Sequence, residues 1–123
     1  ESGQLILFDD VNDGLNSELG FDLLLVNGHT EKMALPMVQY KRKTILFASD
    51  LVPTAGHIPI PYLMGYDVRP LVTMEEKTRI LNNLVENNSL IFLQHDPINE
   101  IVFLKKTEKG VRFDGSSTLK DFF

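Results

Sequence analysis

Three stretches of this chain are apolar without a break: "LLLV" at 23–26, "ILFA" at 45–48 and "LIFL" at 90–93. A strand with one wet face alternates apolar and polar residues, whereas a strand covered on both faces reads as a continuous apolar run. Runs of this kind belong deep in a layered fold. Each of the three is followed at once by polar residues that include a histidine or an aspartate. Asn27-Gly28-His29 follows the first, Ser49-Asp50 the second and Gln94-His95 the third.

The spacing between these runs supplies the rest of the architecture. Leu5 to Phe8 reads as a short strand, and the polar stretch from Asp9 to Gly20 as a loop. Met37 to Tyr40 and Thr44 to Ala48 flank the basic tripeptide Lys41-Arg42-Lys43, which predicts a hairpin with a solvated tip. Val52 to Pro70 holds four of the six prolines and predicts a long ordered loop, of the kind that often carries function. Thr73 with Glu76 reads as a helix cap, followed by an apolar stripe at Ile80, Leu81, Leu84 and Val85 that ends at Asn87-Asn88. Glu100 to Lys105 and Gly110 to Phe113 predict a second hairpin around "TEKG". With 123 residues, no repeat and no linker, the chain is one unit over 1–123. Strands, one long loop, one clear helix and strands again make an α+β domain of mixed α/β layers, neither a bundle nor a pure sandwich.

Charge and composition narrow the partners. A net charge of −5 offers no basic footprint, so nucleic acid and anionic membranes are not the expected partners. With no cysteine, a transition metal has only histidine and carboxylate to hold it. No apolar run approaches the roughly 18 residues of a membrane span and no signal-peptide pattern opens the chain, which makes a cytoplasmic location the default expectation.

The crevice outside strand ends is where side chains from several strands converge in layered sheets. His29, Asp50 and His95 arriving there together form a nitrogen and oxygen donor set that suits zinc, or iron or manganese. The plainer reading of each residue alone is a hydrogen-bonded turn residue. In the long loop, Tyr66 and His57 are candidates for touching a substrate, against packing for the tyrosine and a turn beside Gly56 for the histidine. Glu75, Glu76, Lys77 and Arg79 read as a solvated helix start, and Asp67 and Asp96 as turn residues ahead of Pro70 and Pro97. No nucleophile elbow and no glycine-rich phosphate loop occurs.

In order, "LLLVNGHTEKMALPMV", "TILFASDLVPTAGHIPIPYLMGYDVRP" and "LIFLQHDP" resemble the C-terminal half of a metallo-β-lactamase-superfamily hydrolase. The likeness runs from about Leu5 to the strand after Pro97. It implies half of a four-layer αββα sandwich. It also implies that His29 is a ligand of a first metal, Asp50 the carboxylate bridging two metals, and His95 a ligand of the second. The complete enzyme of this type would use two zinc ions, with iron or manganese as alternatives, to generate a bridging hydroxide that attacks an ester, thioester, lactone or phosphoester. The family's His-x-His-x-Asp-His motif, which carries the other four ligands, does not occur in this chain. Lactone-cleaving relatives often carry a tyrosine soon after the bridging aspartate, where this chain has Pro53.

The resemblance therefore implies half an active site: weak or absent metal binding and no hydrolysis by this chain alone, with a small-molecule substrate for the parent enzyme. The alternative is a non-catalytic domain that keeps the fold for binding or structure. Because one helix cannot cover both faces of the sheet, a homodimer, or the missing N-terminal half, is expected to cover the other.

Overall fold

The computed structural model describes residues 20–123. The expected strand at Leu5–Phe8 lies outside the described residues. Six strands form one sheet in chain order: β1 (Asp22–Val26), β2 (Met33–Tyr40), β3 (Lys43–Phe47), β4 (Leu90–Phe92), β5 (Ile101–Thr107) and β6 (Gly110–Ser117). Every neighbouring pair is antiparallel except β3 and β4. A parallel pair needs a crossover, and this one runs through the long loop and helix α1 (Pro70–Glu86). A short helix, α2 (Leu119–Phe122), follows β6.

Both faces of the sheet are apolar. On one face Val26, Leu35, Leu46, Ile91 and Val102 pack with Ile80, Leu81 and Leu84 of α1. Ile45, Leu90 and Ile101 point the other way and cluster with Phe47, Phe92 and Phe103. Leu119 and Phe122 of α2, with Phe123, pack on this second face. The chain thus covers part of that face with its own C-terminal helix, an element too short to show a helical period in the sequence.

Several boundaries differ from the sequence reading: β5 and β6 run on to Thr107 and Ser117, past the expected Lys105 and Phe113, and β3 is shifted by one residue to Lys43–Phe47. Strand β2 begins at Met33 rather than Met37, and its Pro36 stands where the β2–β3 ladder has already ended at the Met37–Leu46 pair. Proline is tolerated there because no bond to β3 is lost. The first hairpin closes on Lys41 and Arg42 alone, both with left-handed backbone, while Lys43 pairs with Tyr40 inside the ladder. Helix α1 begins at Pro70 instead of being capped by Thr73, because proline supplies a preset φ at a position whose N–H needs no partner. Thr73 is buried a turn inside, with its hydroxyl donating to the Arg69 carbonyl. The helix ends where the sequence indicates. Asn88 adopts a left-handed φ of 51°, and the Ser89 amide returns to the Leu84 carbonyl at 2.8 Å.

The helix makes the packing testable. Leu81 is fully buried whereas Leu71, on the same helix, is 74% exposed. Urea unfolding of Leu81→Ala is expected to show a loss of about 2–4 kcal/mol, and Leu71→Ala a change within about 0.5 kcal/mol.

Candidate functional site

The in-register parallel pairing of β3 with β4 sets Phe47 beside Phe92. Three residues beyond each lies a polar side chain, Asp50 after Phe47 and His95 after Phe92. Strand β1 runs in the same direction as β3, because β2 turns the chain twice, and three residues beyond its last position, Val26, lies His29. One rule of register therefore delivers all three side chains to one edge of the sheet. The left-handed Ser49, with φ of 48°, turns the chain just before Asp50.

The geometry centres on the Asp50 carboxylate. Its Oδ1 lies 3.1 Å from Nε2 of His95, and its Oδ2 lies 3.5 Å from Nε2 of His29. The two imidazoles thus face different oxygens of one carboxylate. Behind His29, the Asp67 carboxylate accepts from Nδ1–H at 2.8 Å. With Nδ1 engaged by Asp67, Nε2 is the ring nitrogen that faces Asp50. The Asp67 side chain is 1% exposed, and its second oxygen has no hydrogen-bond partner among the described residues. Asp67 does close a turn, its amide donating to the Met64 carbonyl at 3.2 Å, but its side chain goes beyond that role as a buried carboxylate that orients a histidine 38 positions away.

The loop carrying His29 is clamped to helix α1. Both oxygens of Glu76 are engaged, accepting from the Asn27 amide at 2.7 Å and from the Gly28 amide at 3.0 Å. The Arg69 amide donates to the Gly28 carbonyl at 2.8 Å and the Val68 amide to the His29 carbonyl at 3.2 Å. Gly28 itself is buried against Thr73, where a Cβ would collide with both backbone and side chain. Glu76 is accordingly not part of a solvated helix start, as the charge pattern suggests. Nor is Lys77: it is fully buried, and its Nζ donates to the carbonyls of Pro59, Ile60 and Tyr62 at 3.0, 3.3 and 2.8 Å. Burial pushes its ammonium down to about 8, against a smaller opposing pull from Asp67.

Asp96 does serve its turn, accepting from the Ile98 and Asn99 amides, and it does more. Its other oxygen accepts from the Ala55 amide at 2.9 Å, which ties the His95 loop to the 3-10 turn at Ala55–His57. Burial acts to raise its carboxyl, and the hydrogen bonds from Ala55, Asn99 and Ile98 outweigh it, holding the group below the usual aspartate range.

Between these loops opens a cavity of about 420 Å³, with Asp50 and His95 on one wall. Pro53, Thr54, His57, Leu63, Met64 and Tyr66 come to it from the long loop. His57 shares a hydrogen bond with the Thr54 hydroxyl through Nδ1 at 2.8 Å. Tyr66 is 73% exposed and stands edge-on to the His29 ring at 6.1 Å between centroids. No cysteine, lysine or arginine lines this cavity. Among the described residues no group of three or more histidine or acidic side chains is gathered tightly enough to hold a metal ion by itself.

No protein-family model matches the chain, and neither does any curated protein. Solved structures do match. A probable metal-dependent hydrolase from Staphylococcus aureus superposes with a TM-score of 0.78 at 20% identity, over 95% of this chain and 40% of its own. AidC, a dizinc quorum-quenching lactonase solved with a product, matches with a TM-score of 0.74 at 21% identity, over 92% of this chain and 38% of its own. AbOPH, a hydrolase in the β-lactamase superfamily, matches with a TM-score of 0.69 at 21% identity, over 80% and 35%. This chain has the α+β fold of part of a β-lactamase-superfamily hydrolase, and it spans about two fifths of the length of such structures.

The contact at Gly28 yields a direct check on how His29 is held. Gly28→Ala is expected to cost about 1–3 kcal/mol in urea unfolding and to shift the His29 ring signals in NMR spectra, because the loop must move off Thr73. Gly65→Ala, in a position with open space around its Cα, is expected to leave both unchanged.

Proposed function

We propose that this chain is the C-terminal part of a metal-dependent hydrolase in which Asp50 bridges two ions, one also held by His29 and the other by His95. The observation that supports this reading most is the Asp50 carboxylate standing between two imidazole Nε2 atoms, one on each oxygen. A carboxylate so placed suits two cations better than one. Imidazole nitrogen and carboxylate oxygen are the donor types that zinc takes, and a carboxylate behind a ligating histidine, as Asp67 is behind His29, is the customary support of such a ligand. Each ion would receive one histidine and a shared aspartate from these residues. A tetrahedral zinc takes four donors, so the remainder come from a segment carrying the His-x-His-x-Asp-His pattern. Zinc supplies a lowered pKa for bound water and a Lewis acid for the substrate oxygen.

The chain's own residues do the positioning. Asp67 holds the proton on Nδ1 of His29, Glu76 fixes the loop that carries it, and Asp96 holds the His95 loop to the wall of the cavity. His57 and Tyr66 face the cavity as the substrate-contacting candidates, within reach of an ester, thioester, lactone or phosphoester bound at Asp50 and His95.

The coding sequence upstream of Glu1 is the first test, and it is expected to encode His-x-His-x-Asp-His. Its absence would leave a non-catalytic domain that keeps the fold. In the protein carrying both parts, Asp50→Ala is expected to remove most of the bound zinc and at least about a thousandfold of the hydrolytic rate. The 123-residue chain alone is expected to bind zinc more weakly than micromolar by calorimetric titration.

A further inference from the structure

Lys77, on α1, makes its hydrogen bonds to none of the residues assigned to the metals, and yet is among the most completely buried side chains of the described residues. A buried ammonium costs far more than a buried methionine of similar reach, so its presence calls for a use. The segment it meets reads "HIPIPY", residues 57–62. Pro59 and Pro61 lack N–H groups, so the segment forms no backbone ladder and has a single turn bond of its own, from the Tyr62 amide to the Pro59 carbonyl at 3.0 Å. Lys77 supplies the donors: one Nζ reaches the carbonyls of Pro59, Ile60 and Tyr62. The segment begins at His57, and immediately after it come Leu63, Met64 and Tyr66, which with His57 line the cavity.

We propose that Lys77 is a positioning residue of the cavity, gathering the carbonyls of 59–62 so that His57, Leu63, Met64 and Tyr66 stand opposite Asp50 and His95, and holding that loop more tightly as the pH rises. The proposal rests on the reading of the Asp50 cavity as a substrate site; the clamp itself does not require a metal. The charged surroundings of Lys77 are simple. Asp67, from the loop, is the charged group whose field reaches it. Glu76, its helix neighbour, is spent on the amides of Asn27 and Gly28. Tyr62 offers its carbonyl while its ring is exposed.

The sign of the pH effect follows from linkage. With the loop closed the ammonium loses its proton near 8, and with the loop lifted it returns toward the solvated value of 10.5. Between these values the open form binds the proton more strongly, so a rising pH favours the closed loop. Below about 8 both forms are charged and the balance is flat.

Nuclear magnetic resonance on the metal-free chain tests this. The reporters are the Cε of Lys77, the Tyr62 amide, which donates to Pro59 at 3.0 Å, and the Leu46 amide in the central sheet. The Lys77 Cε is expected to titrate with a midpoint near 8. After correction for base catalysis, the protection of the Tyr62 amide is expected to be flat below that midpoint and to rise by up to about tenfold per pH unit above it, with Leu46 not following. In Lys77→Met this pH dependence is expected to vanish, and the ring signals of His57 and Tyr66 to move. A Cε midpoint near 10.5, a flat Tyr62 response above pH 8, or unmoved rings in Lys77→Met would each overturn the proposal. Should Lys77→Met lose the dispersed sheet amides of a folded chain, the wild-type titration decides alone. No metal enters the experiment, so a failure of the hydrolase reading would leave its result intact.

Discussion

The parallel pairing of β3 with β4 is the constraint from which the site follows. Its register sets Phe47 against Phe92, and the chain leaves both strands at the same edge. Had the two strands been antiparallel, Asp50 and His95 would lie at opposite ends of the sheet, and no loop rearrangement would reunite them. Parallel pairing in turn demands a crossover, which the long loop and α1 provide. The same connection that satisfies the topology also furnishes the cavity wall and the helix on which the site is braced. Fold and site are thus two consequences of one pairing.

Four charged side chains then make the edge rigid, each by satisfying groups that the strand ends and loops leave open. Glu76 takes two amides of the His29 loop, Asp67 takes the His29 ring, Asp96 takes the Ala55 amide, and Lys77 takes three carbonyls of a proline-broken segment. Backbone beyond a strand end has lost its ladder, and buried groups there need partners from elsewhere. Helix α1 supplies two of these side chains from adjacent positions, Glu76 toward one loop and Lys77 toward another. The helix is therefore a brace between the His29 loop and the cavity loop as well as a cover for the sheet.

Much of this framework is legible in the sequence because local chemistry decides it. Continuous apolar runs mark strands covered on both faces, and the polar residues just past them mark the edge where they end. The presence of a hairpin around Lys41-Arg42-Lys43 and the helix end at Asn87-Asn88 follow from short-range signals, whereas the left-handed turn that closes on Lys41 and Arg42 lacks the Asn-Gly pair that would announce it. The braces are not legible in that way. Glu76 and Lys77 sit in a run of charges that reads as a wet helix face, and only the return of two separate loops onto the helix buries them. Asp67 beside Pro70 has every mark of a turn residue, and its partner His29 lies far up the chain. Pro36 hides the first half of β2, since the place where the neighbouring ladder stops cannot be seen from the proline itself. What local pattern misses here is tertiary contact over tens of residues.

The central claim is that one carboxylate, that of Asp50, is shared by two cations on the sides marked by His29 and His95. Anomalous diffraction at the zinc edge, from crystals of the protein carrying this chain together with its upstream part, tests it most directly. The account predicts two peaks flanking the Asp50 carboxylate, one within bonding distance of Nε2 of His29 and the other of Nε2 of His95. Peaks elsewhere, or none at this edge in a zinc-loaded crystal, would contradict it.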